Sequence, residues 1–340
     1  MKLRYAVFVL ALLLSGISAD AQAQTSRKKR AQTGMKFLSV ATDARSAAMG
    51  DAMTAIEQFG GISMFHNPAG MARMETFSNL TFGQVNYIAD IKYNYGTLAL
   101  KPANGRFGVI GFSVLYVDYG DIQATIFDGS SDAGYREVGT IRPWGASFGV
   151  GYAKEVSEQF SFGGNVKYVG QSLGSAILRV DNGAYPSQKY EANVIAYDFG
   201  IMYKTGFESL TFAMTARNFS PEVTFVEEAF EIPLTFKVGL AMDLLDITNA
   251  DQTKHNLLFA VEAERPRDYE EMIKVGAEYL FMKRFAMRAG YAFPSDEQGI
   301  SAGFGLQQTL RGGRNLGIDY SFTDFGIFSS VHRLSATIAF

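Results

Sequence analysis

Apolar and polar residues alternate with a period of two along most of the chain from residue 78 onwards. In one segment, for example, Ile273 and Val275 fall on one face, whereas Lys274 and Glu278 fall on the other. Such alternation is typical of β-strands that have one apolar and one polar face. Fourteen segments show this pattern: Ser78–Tyr87, Lys92–Lys101, Phe107–Val117, Pro143–Lys154, Phe160–Ser172, Asn193–Lys204, Leu210–Phe219, Pro233–Leu244, His255–Glu264, Met272–Leu280, Phe285–Phe293, Gly299–Gln307, Asn315–Thr323 and His332–Phe340.

The length and number of these segments favour a membrane barrel over a soluble sheet. Most have about nine to twelve residues, near the length at which a tilted strand crosses a bilayer. An even number of strands without intervening helices closes with no free edge, as a membrane demands. Short turns such as residues 281–284 alternate with long connections such as 118–142 and 173–192. We therefore predict an all-β fold, a 14-stranded antiparallel transmembrane β-barrel over residues 78–340, with a soluble β-sandwich or solenoid as the alternative.

The N-terminal residues have the order of a targeting segment. Residues 1–23 combine a basic start, a short apolar core and a small-residue tail that permits cleavage after Ala21 or Ala23. This order predicts a secretory signal peptide, because the apolar core is too short to span a bilayer. Residues 24–36, which include the basic run 27–30, are predicted to form a flexible basic leader. We expect the mature protein in the outer membrane of a Gram-negative bacterium.

Residues 37–77 lack the alternation of strands and predict a small N-terminal hatch. Thr42 or Asp43 can cap a short helix, and Gly50 is placed to end it. The Asn-Pro pair at 67–68 begins a turn, because proline fixes its own φ and extends the residue before it. The segment is too short to bury a core alone, so it needs a larger structure around it.

Composition supports a barrel and excludes several function classes. Charged residues make up 19 % of the chain, against about 25 % in a typical soluble domain. The absence of cysteine excludes disulfides, cysteine-ligated metal sites and thiol nucleophiles. A net charge of −3 argues against a nucleic-acid partner. Mean hydropathy is close to zero, as expected when lipid-facing apolar residues alternate with polar or glycine residues in the lumen.

Segments 37–52 and 67–72 together resemble the PorV/PorQ family of outer-membrane proteins, and their Asp-Ala-Arg, Met-Gly-Asp and Asn-Pro-Ala elements lie closer to the PorV type. That family is itself similar to the FadL-type long-chain fatty acid transporters. The resemblance implies fourteen strands around an N-terminal hatch. It implies structural roles in the hatch: a capped helix, an Asp–Arg pair in a polar lumen and a turn that fixes the plug. The hatch motif maps onto Asp43, Arg45, Met49, Gly50, Asp51, Asn67, Pro68, Ala69 and Gly70.

The resemblance leaves two functions open. A PorV-like protein would be a non-enzymatic component associated with type IX secretion, which binds the C-terminal domains of secreted cargo for surface attachment. A FadL-like protein would instead pass hydrophobic small molecules, such as long-chain fatty acids, across the outer membrane. A sealed lumen with exposed apolar surface among the loops would favour the first function. A continuous apolar pocket beside the hatch would favour the second.

Chemistry-bearing residues give little support for catalysis. The three histidines show no metal-ligand spacing, and glycine pairs such as Gly303 and Gly305 are not followed by a helix. We therefore predict no catalytic residue, metal site or cofactor, and a protein that is not an enzyme. A charged cluster at residues 262–267 is interpreted as a solvated rim. Charged residues predicted to face the lumen, where they can pair with one another and with the hatch, are Lys167, Asp198, Arg217, Lys237, Asp243, Lys274, Glu278, Arg288 and Asp319.

Overall fold

A computed structural model describes residues 33–57, 60–176, 188–225, 228–248, 251–294, 298–310 and 313–340. The predicted signal peptide (1–23) and residues 24–32 of the predicted leader lie outside the described residues. So does the middle of the predicted loop 173–192, at residues 177–187. No helix in the described ranges combines the length and the apolar character needed to cross a membrane.

The strands are β1 (Ser78–Asn86), β2 (Lys92–Leu100), β3 (Val109–Asp118), β4 (Ile122–Phe127), β5 (Tyr135–Ile141), β6 (Trp144–Glu155), β7 (Phe160–Ala176), β8 (Gln188–Lys204), β9 (Thr211–Phe219), β10 (Val223–Phe225), β11 (Glu228–Phe230), β12 (Thr235–Asp243), β13 (His255–Pro266), β14 (Met272–Phe281), β15 (Phe285–Phe293), β16 (Ser301–Thr309), β17 (Asn315–Asp324) and β18 (Ser330–Ala339). Fourteen of them form one closed antiparallel barrel, in which β18 pairs with β1. The predicted 14-stranded barrel is confirmed, and β7 and β8 extend beyond their predicted bounds.

The outer face of the barrel is apolar. Along β3, every second side chain is buried and the others point outward. Its outward residues are apolar or aromatic up to the strand's last residue, with Phe112 exposed by 37 % and Val114 by 49 %. A ring of exposed apolar side chains is stable only against lipid, and closure pairs the backbone groups that a bilayer cannot hydrate. Alternation therefore sets which residues face the membrane and which face the lumen.

The two ends of the barrel differ in their connections. At the end where β1 begins, which we call the turn end, connections such as 156–159, 205–210 and 282–284 are short. At the opposite loop end, residues 119–143 and 220–234 form long connections. The predicted loop 118–142 is in fact a hairpin of β4 and β5, and β10 pairs with β11 in a second hairpin. In outer-membrane barrels short turns face the periplasm and long loops face outward.

The described helical segments of the hatch (residues 37–77) lie inside the barrel. Its α-helix, α1 (Ala44–Ala48), packs against β15 to β18, whereas its 3₁₀ turns Gly61–Phe65 and Pro68–Arg73 pack against β1 to β3 and β6 to β8. Because β17 and β7 lie on nearly opposite sides of the barrel, only the lumen can bring the hatch close to all of these strands. Further 3₁₀ turns are Lys36–Ser39, Ile88–Asp90, Pro102–Gly105, Leu244–Ile247 and Gly326–Phe328.

The path of the hatch runs from the loop end to the turn end. Residue Thr33 forms a parallel bridge with Glu231, and Lys36 forms an ion pair with Asp268. Both acidic partners lie in loop-end connections. The chain then descends through the lumen and enters β1 at the turn end. The hatch is thus anchored at both ends of the barrel.

Glycines on the lumen face allow the hatch backbone to approach the wall. A Cβ atom at Gly290 would lie 2.0 Å from the Gly50 nitrogen, and one at Gly163 would lie 2.5 Å from the Pro68 carbonyl carbon. Neither backbone contact tolerates a side chain, so the lumen-facing glycines are needed for the fit between hatch and wall.

Candidate functional site

The hatch helix is held by polar contacts at its first turn. Asp43 caps it, because its carboxylate accepts a hydrogen bond of 2.9 Å from the backbone of Ser46. The second carboxylate oxygen of Asp43 lies 2.7 Å from Nε2 of buried His66. Burial alone would raise the pKa of Asp43, but the hydrogen bonds from His66 and Ser46 outweigh it and lower this pKa. Arg45 pairs in a bidentate manner with Glu278, both contacts measuring 2.8 Å, so it joins the helix to β14.

Asp51, which follows this helix in the chain, belongs to a network of five charged groups, four of them buried and Glu264 half-buried; we call it the lumen charge network. Asp51 of the hatch accepts hydrogen bonds of 2.8 Å from both Lys237 and Lys274. The ammonium group of Lys237 also lies 3.0 Å from Glu262 and 3.2 Å from Glu264. Glu264 forms a further ion pair with Lys274. The two lysines therefore bind hatch and wall carboxylates at the same time.

The carboxylates of Asp51, Glu262 and Glu264 lie close enough together to suggest a metal site. Two observations argue against this use. The ammonium groups of Lys237 and Lys274 already bind these oxygens. Glu262 also accepts backbone hydrogen bonds from Met53 and Thr54, at 3.0 and 2.9 Å. The cluster therefore attaches the hatch to the wall through ion pairs and hydrogen bonds.

The pH dependence of hatch docking follows from Asp51. Burial would raise its pKa, but the charges of Lys237 and Lys274 hold it well below the ordinary value of 3.8. A lowered pKa contributes stability that is complete above 3.8 and is lost as the pH falls below that value. The protection factors for amide hydrogen exchange of residues 44–56, which compare each rate with that of the unfolded chain at the same pH, should thus be constant between roughly pH 5 and pH 8 and fall only in stronger acid. A fall in protection near neutral pH would contradict this role of Asp51.

The Asn-Pro turn is a second attachment of the hatch to the wall. The Asn67 side chain accepts a hydrogen bond of 3.1 Å from the backbone of Ala69 and donates to the carbonyls of Thr54 and Ile201, at 2.9 and 3.1 Å. Pro68 then begins the 3₁₀ turn, and the turn through Gly70 is buried. At the first attachment, which is made by Asp51, Met49 is fully buried, and Gly50 and Asp51 have positive φ values of 64° and 63°. The structure thus gives the residues of the hatch motif architectural contacts.

Most of the charged residues expected in the lumen have partners there. Lys167 and Asp198 form a buried pair of 2.8 Å, and Arg288 contacts Glu278 and lies 2.7 Å from Asp319. With Lys237 and Lys274, these residues are all on the lumen face. Arg217 lines a cavity beside the hatch.

Asp243 lies apart from this group. It sits at the turn-end limit of β12, where it accepts hydrogen bonds from the Asn256 side chain and from the backbone of Leu257, at 2.8 and 3.1 Å. Its role is to cap the following 3₁₀ turn, since it also accepts a 2.8 Å hydrogen bond from the backbone of Leu245.

Sequence reasoning missed three wall residues, Glu262, Glu264 and Arg333, and one hatch residue, His66, at this site. The interpretation of residues 262–267 as a solvated rim is wrong for Glu262 and Glu264, because β13 continues to Pro266 and keeps these side chains inside. Period-two counting from Ala260 would have placed both inward. Arg333 was on the polar face of β18 and donates to the Ala41 carbonyl at 3.0 Å. For His66, the sequence contains no indication of a contact apart from its position next to Asn67 of the hatch motif.

One cavity between the hatch and the wall is small and is lined by polar and apolar groups in similar proportion. It measures about 30 Å³ and is lined by hatch residues 38–42 and by wall residues that include Ser147, Asn165, Arg217 and Thr235. For comparison, an apolar cavity that holds benzene measures about 150 Å³. Neither this cavity nor a second one of about 60 Å³ at the turn end, between Ala72 of the hatch and wall residues such as Val109, has room for a hydrocarbon chain.

A closed antiparallel 14-stranded barrel with a polar lumen and an internal hatch defines an outer-membrane β-barrel. A family model, type IX secretion system membrane protein PorP/SprF, matches residues 135–335, which is more than half of the chain. The chain belongs to this family.

Solved structures show the same fold. The Pseudomonas putida toluene transporter TodX aligns with a TM-score of 0.56 at 12 % identity, over 86 % of this chain and 96 % of its own. The CymD monoaromatic hydrocarbon channel aligns at 0.55 and 13 %, over 88 % and 98 %. A Pseudomonas aeruginosa FadL homologue aligns at 0.52 and 13 %, over 88 % and 98 %. No curated protein sequence matches significantly.

The family match corrects the PorV/PorQ assignment, which was wrong. That assignment rested on short elements at 37–52 and 67–72, which lie outside the matched residues 135–335. Their contacts explain the error. A capped helix, a tight turn with positive φ and an Asn-Pro turn meet the general needs of a hatch packed in a barrel, so they indicate the architecture rather than the family.

Proposed function

We propose that the chain is a non-enzymatic component of type IX secretion that binds a protein partner, secreted cargo or another secretion component, through its loop end. The observation that carries this proposal is the filled lumen, in which two cavities that border the hatch measure only about 30 and 60 Å³. A barrel closed in this way acts through its exposed surfaces. Membership of the type IX secretion family supports the same assignment.

The loop end offers apolar surface beyond the barrel wall. In the hairpin of β4 and β5, Phe127 is exposed by 87 % and Ile122 and Tyr135 by 49 % each. Among the residues that the structure describes, no further strand pairs with the outer edges of this hairpin, because β4 and β5 form a separate two-stranded sheet. Exposed edges and aromatic side chains are the features by which extended partner segments add to a sheet.

Transport of hydrophobic small molecules is the second candidate. The common fold with TodX and CymD supports it. The lumen cavity argues against it, because Lys167, Arg217 and Lys237 line it together with acidic residues. An apolar ligand would have to displace the hatch from several buried ion pairs, at a high cost in free energy.

Export of the chain is part of the proposal. We expect residues 1–23 to direct secretion and to be removed on the way to the outer membrane. The intact mass of the purified protein should then correspond to a chain that begins at Gln22 or Gln24. A mass that includes residue 1 would contradict removal.

Site-specific cross-linking tests the proposed function. A photoreactive phenylalanine at Phe127 is expected to cross-link a secretion component or secreted cargo in intact cells. The same probe at Phe207, which is 48 % exposed at the turn end, is the matched control and should not capture that partner. Capture of the partner at Phe207 alone would contradict the loop-end assignment. Recovery of bound hydrocarbon or fatty acid with no protein partner would favour transport.

A further inference from the structure

Arg217 of β9 is a lumen cation for which the described residues provide no hydrogen-bond acceptor at Nε and no ion-pair partner. Its side chain lines the cavity between the hatch and the wall. Its Nε atom is buried, and within the described residues nothing accepts a hydrogen bond from it. A guanidinium group offers five donors in a planar fork, so a buried nitrogen left unpaired is costly unless a ligand completes it.

The buried carboxylate of Asp198 interacts electrostatically with Arg217 but cannot accept a hydrogen bond from it, because its acceptor sites are taken. One oxygen of Asp198 accepts from Lys167 and from the Asn218 backbone, at 2.8 and 2.7 Å. The other accepts from Lys167 and from Asn165, at 2.8 and 3.0 Å. Four hydrogen bonds fill the roughly four lone-pair positions of a carboxylate. The negative charge of Asp198 therefore still attracts Arg217, but its hydrogen-bond positions are occupied, two of them by Lys167.

The two other cations that line this cavity, Lys167 and Lys237, differ from Arg217 in this respect. The ammonium group of Lys167 donates hydrogen bonds to Asp198 and to the Asn218 side chain, the latter at 2.6 Å. Lys237 contacts three carboxylates of the lumen charge network. Arg217 therefore adds a positive charge to the cavity that the described side chains leave without a direct counterion.

The cavity has the position and size for a small anionic group. Its lining includes Thr235, the first residue of β12, and Ser147 near the start of β6, both close to the loop end. A volume of about 30 Å³ holds two or three water-sized groups. This is room for one carboxylate and not for an acyl chain.

We propose that Arg217 binds a single carboxylate group that reaches the lumen from the loop end. The planar guanidinium matches a carboxylate in a charge-assisted, bidentate geometry. The carboxylate is supplied either by a free small molecule or by a polypeptide, as its C-terminus. The site is independent of the proposed function, because a small carboxylate would bind whether or not a secretion partner docks on the loops.

Thermal unfolding of the purified full chain in detergent tests this site. Acetate, exchanged for chloride at constant ionic strength, is expected to raise the midpoint by about 3 °C. A triglycine peptide with a free C-terminus is the second probe, and its C-terminal amide is its control. Arg217→Gln should abolish the shift, and Arg217→Lys should reduce it. Arg106→Gln, which removes an exposed arginine at the turn end, should leave the shift intact.

Each outcome decides the proposal. A shift with acetate that depends on Arg217 supports the site and identifies a free carboxylate as sufficient. A shift only with the peptide acid, and not with its amide, supports the site and identifies a polypeptide as the source. No shift with either probe, or equal shifts in wild type and Arg217→Gln, overturns the proposal. None of these results depends on partner capture at Phe127, so the two proposals fail separately.

Discussion

Lys237→Met is expected to lower the free energy of unfolding by about 3–5 kcal/mol, because it leaves buried carboxylates without a counterion. In the wild type, Lys237 lies 2.8 to 3.2 Å from Asp51, Glu262 and Glu264, and all these groups are shielded from solvent. Methionine keeps the length of the side chain but removes its charge. Urea unfolding in detergent micelles, followed by the fluorescence of Trp144, measures the change.

A matched control and a rescue separate charge from packing in this prediction. Lys254→Met removes one partner of an exposed ion pair with Asp251, and it should change stability by less than about 1 kcal/mol. Adding Glu262→Gln to Lys237→Met removes one uncompensated negative charge and should restore part of the loss. A Lys237→Met protein as stable as the wild type would show that the lumen charge network does not hold the hatch.

Gly290→Ala is expected to detach the hatch from the wall. The new Cβ atom would lie 2.0 Å from the Gly50 nitrogen and 2.2 Å from the Met49 carbonyl carbon, both backbone atoms of the hatch. Overpacking of this kind costs about 1–3 kcal/mol, and moving the turn away also breaks the contacts of Asp51. Limited trypsin digestion should therefore cleave after Arg45 in the variant and spare this bond in the wild type.

Gly317→Ala is the control for the close approach at Gly290. Gly317 also lies on the lumen face, but a Cβ atom there would meet only Thr337, at an ordinary 3.8 Å. Its hatch should remain resistant to trypsin. Equal resistance of Gly290→Ala and Gly317→Ala would contradict the inference that lumen glycines are needed for docking.

The barrel was predictable because the alternation of apolar and polar residues within each strand already indicates which side chains face lipid. Alternation with a period of two is local, so it identified fourteen strands and the lumen face of residues such as Lys237 and Lys274 without knowledge of the fold. The hairpin of β4 and β5 was not predicted. Its strands lie outside the bilayer, where most residues of both faces are exposed and alternation is lost.

The partners inside the lumen were not predictable, because they depend on how the hatch sits against the wall. An Asp–Arg pair was expected within the hatch, yet Arg45 binds Glu278, which is 233 residues away in sequence. Asp43 binds His66 instead. No local pattern encodes such a pairing. The family was also not predictable from the hatch, because its motifs indicate the architecture that several barrel families share.

Planar-bilayer recording of the purified wild-type protein tests the central claim, that the hatch closes the lumen. The ion pairs of Arg45, Asp51 and Lys36 hold the hatch at three levels of the barrel. The account predicts a silent bilayer after insertion of the wild type, and ion-conducting steps after insertion of Gly290→Ala. Stable conductance steps from the wild type, at the same level as those of the variant, would contradict it.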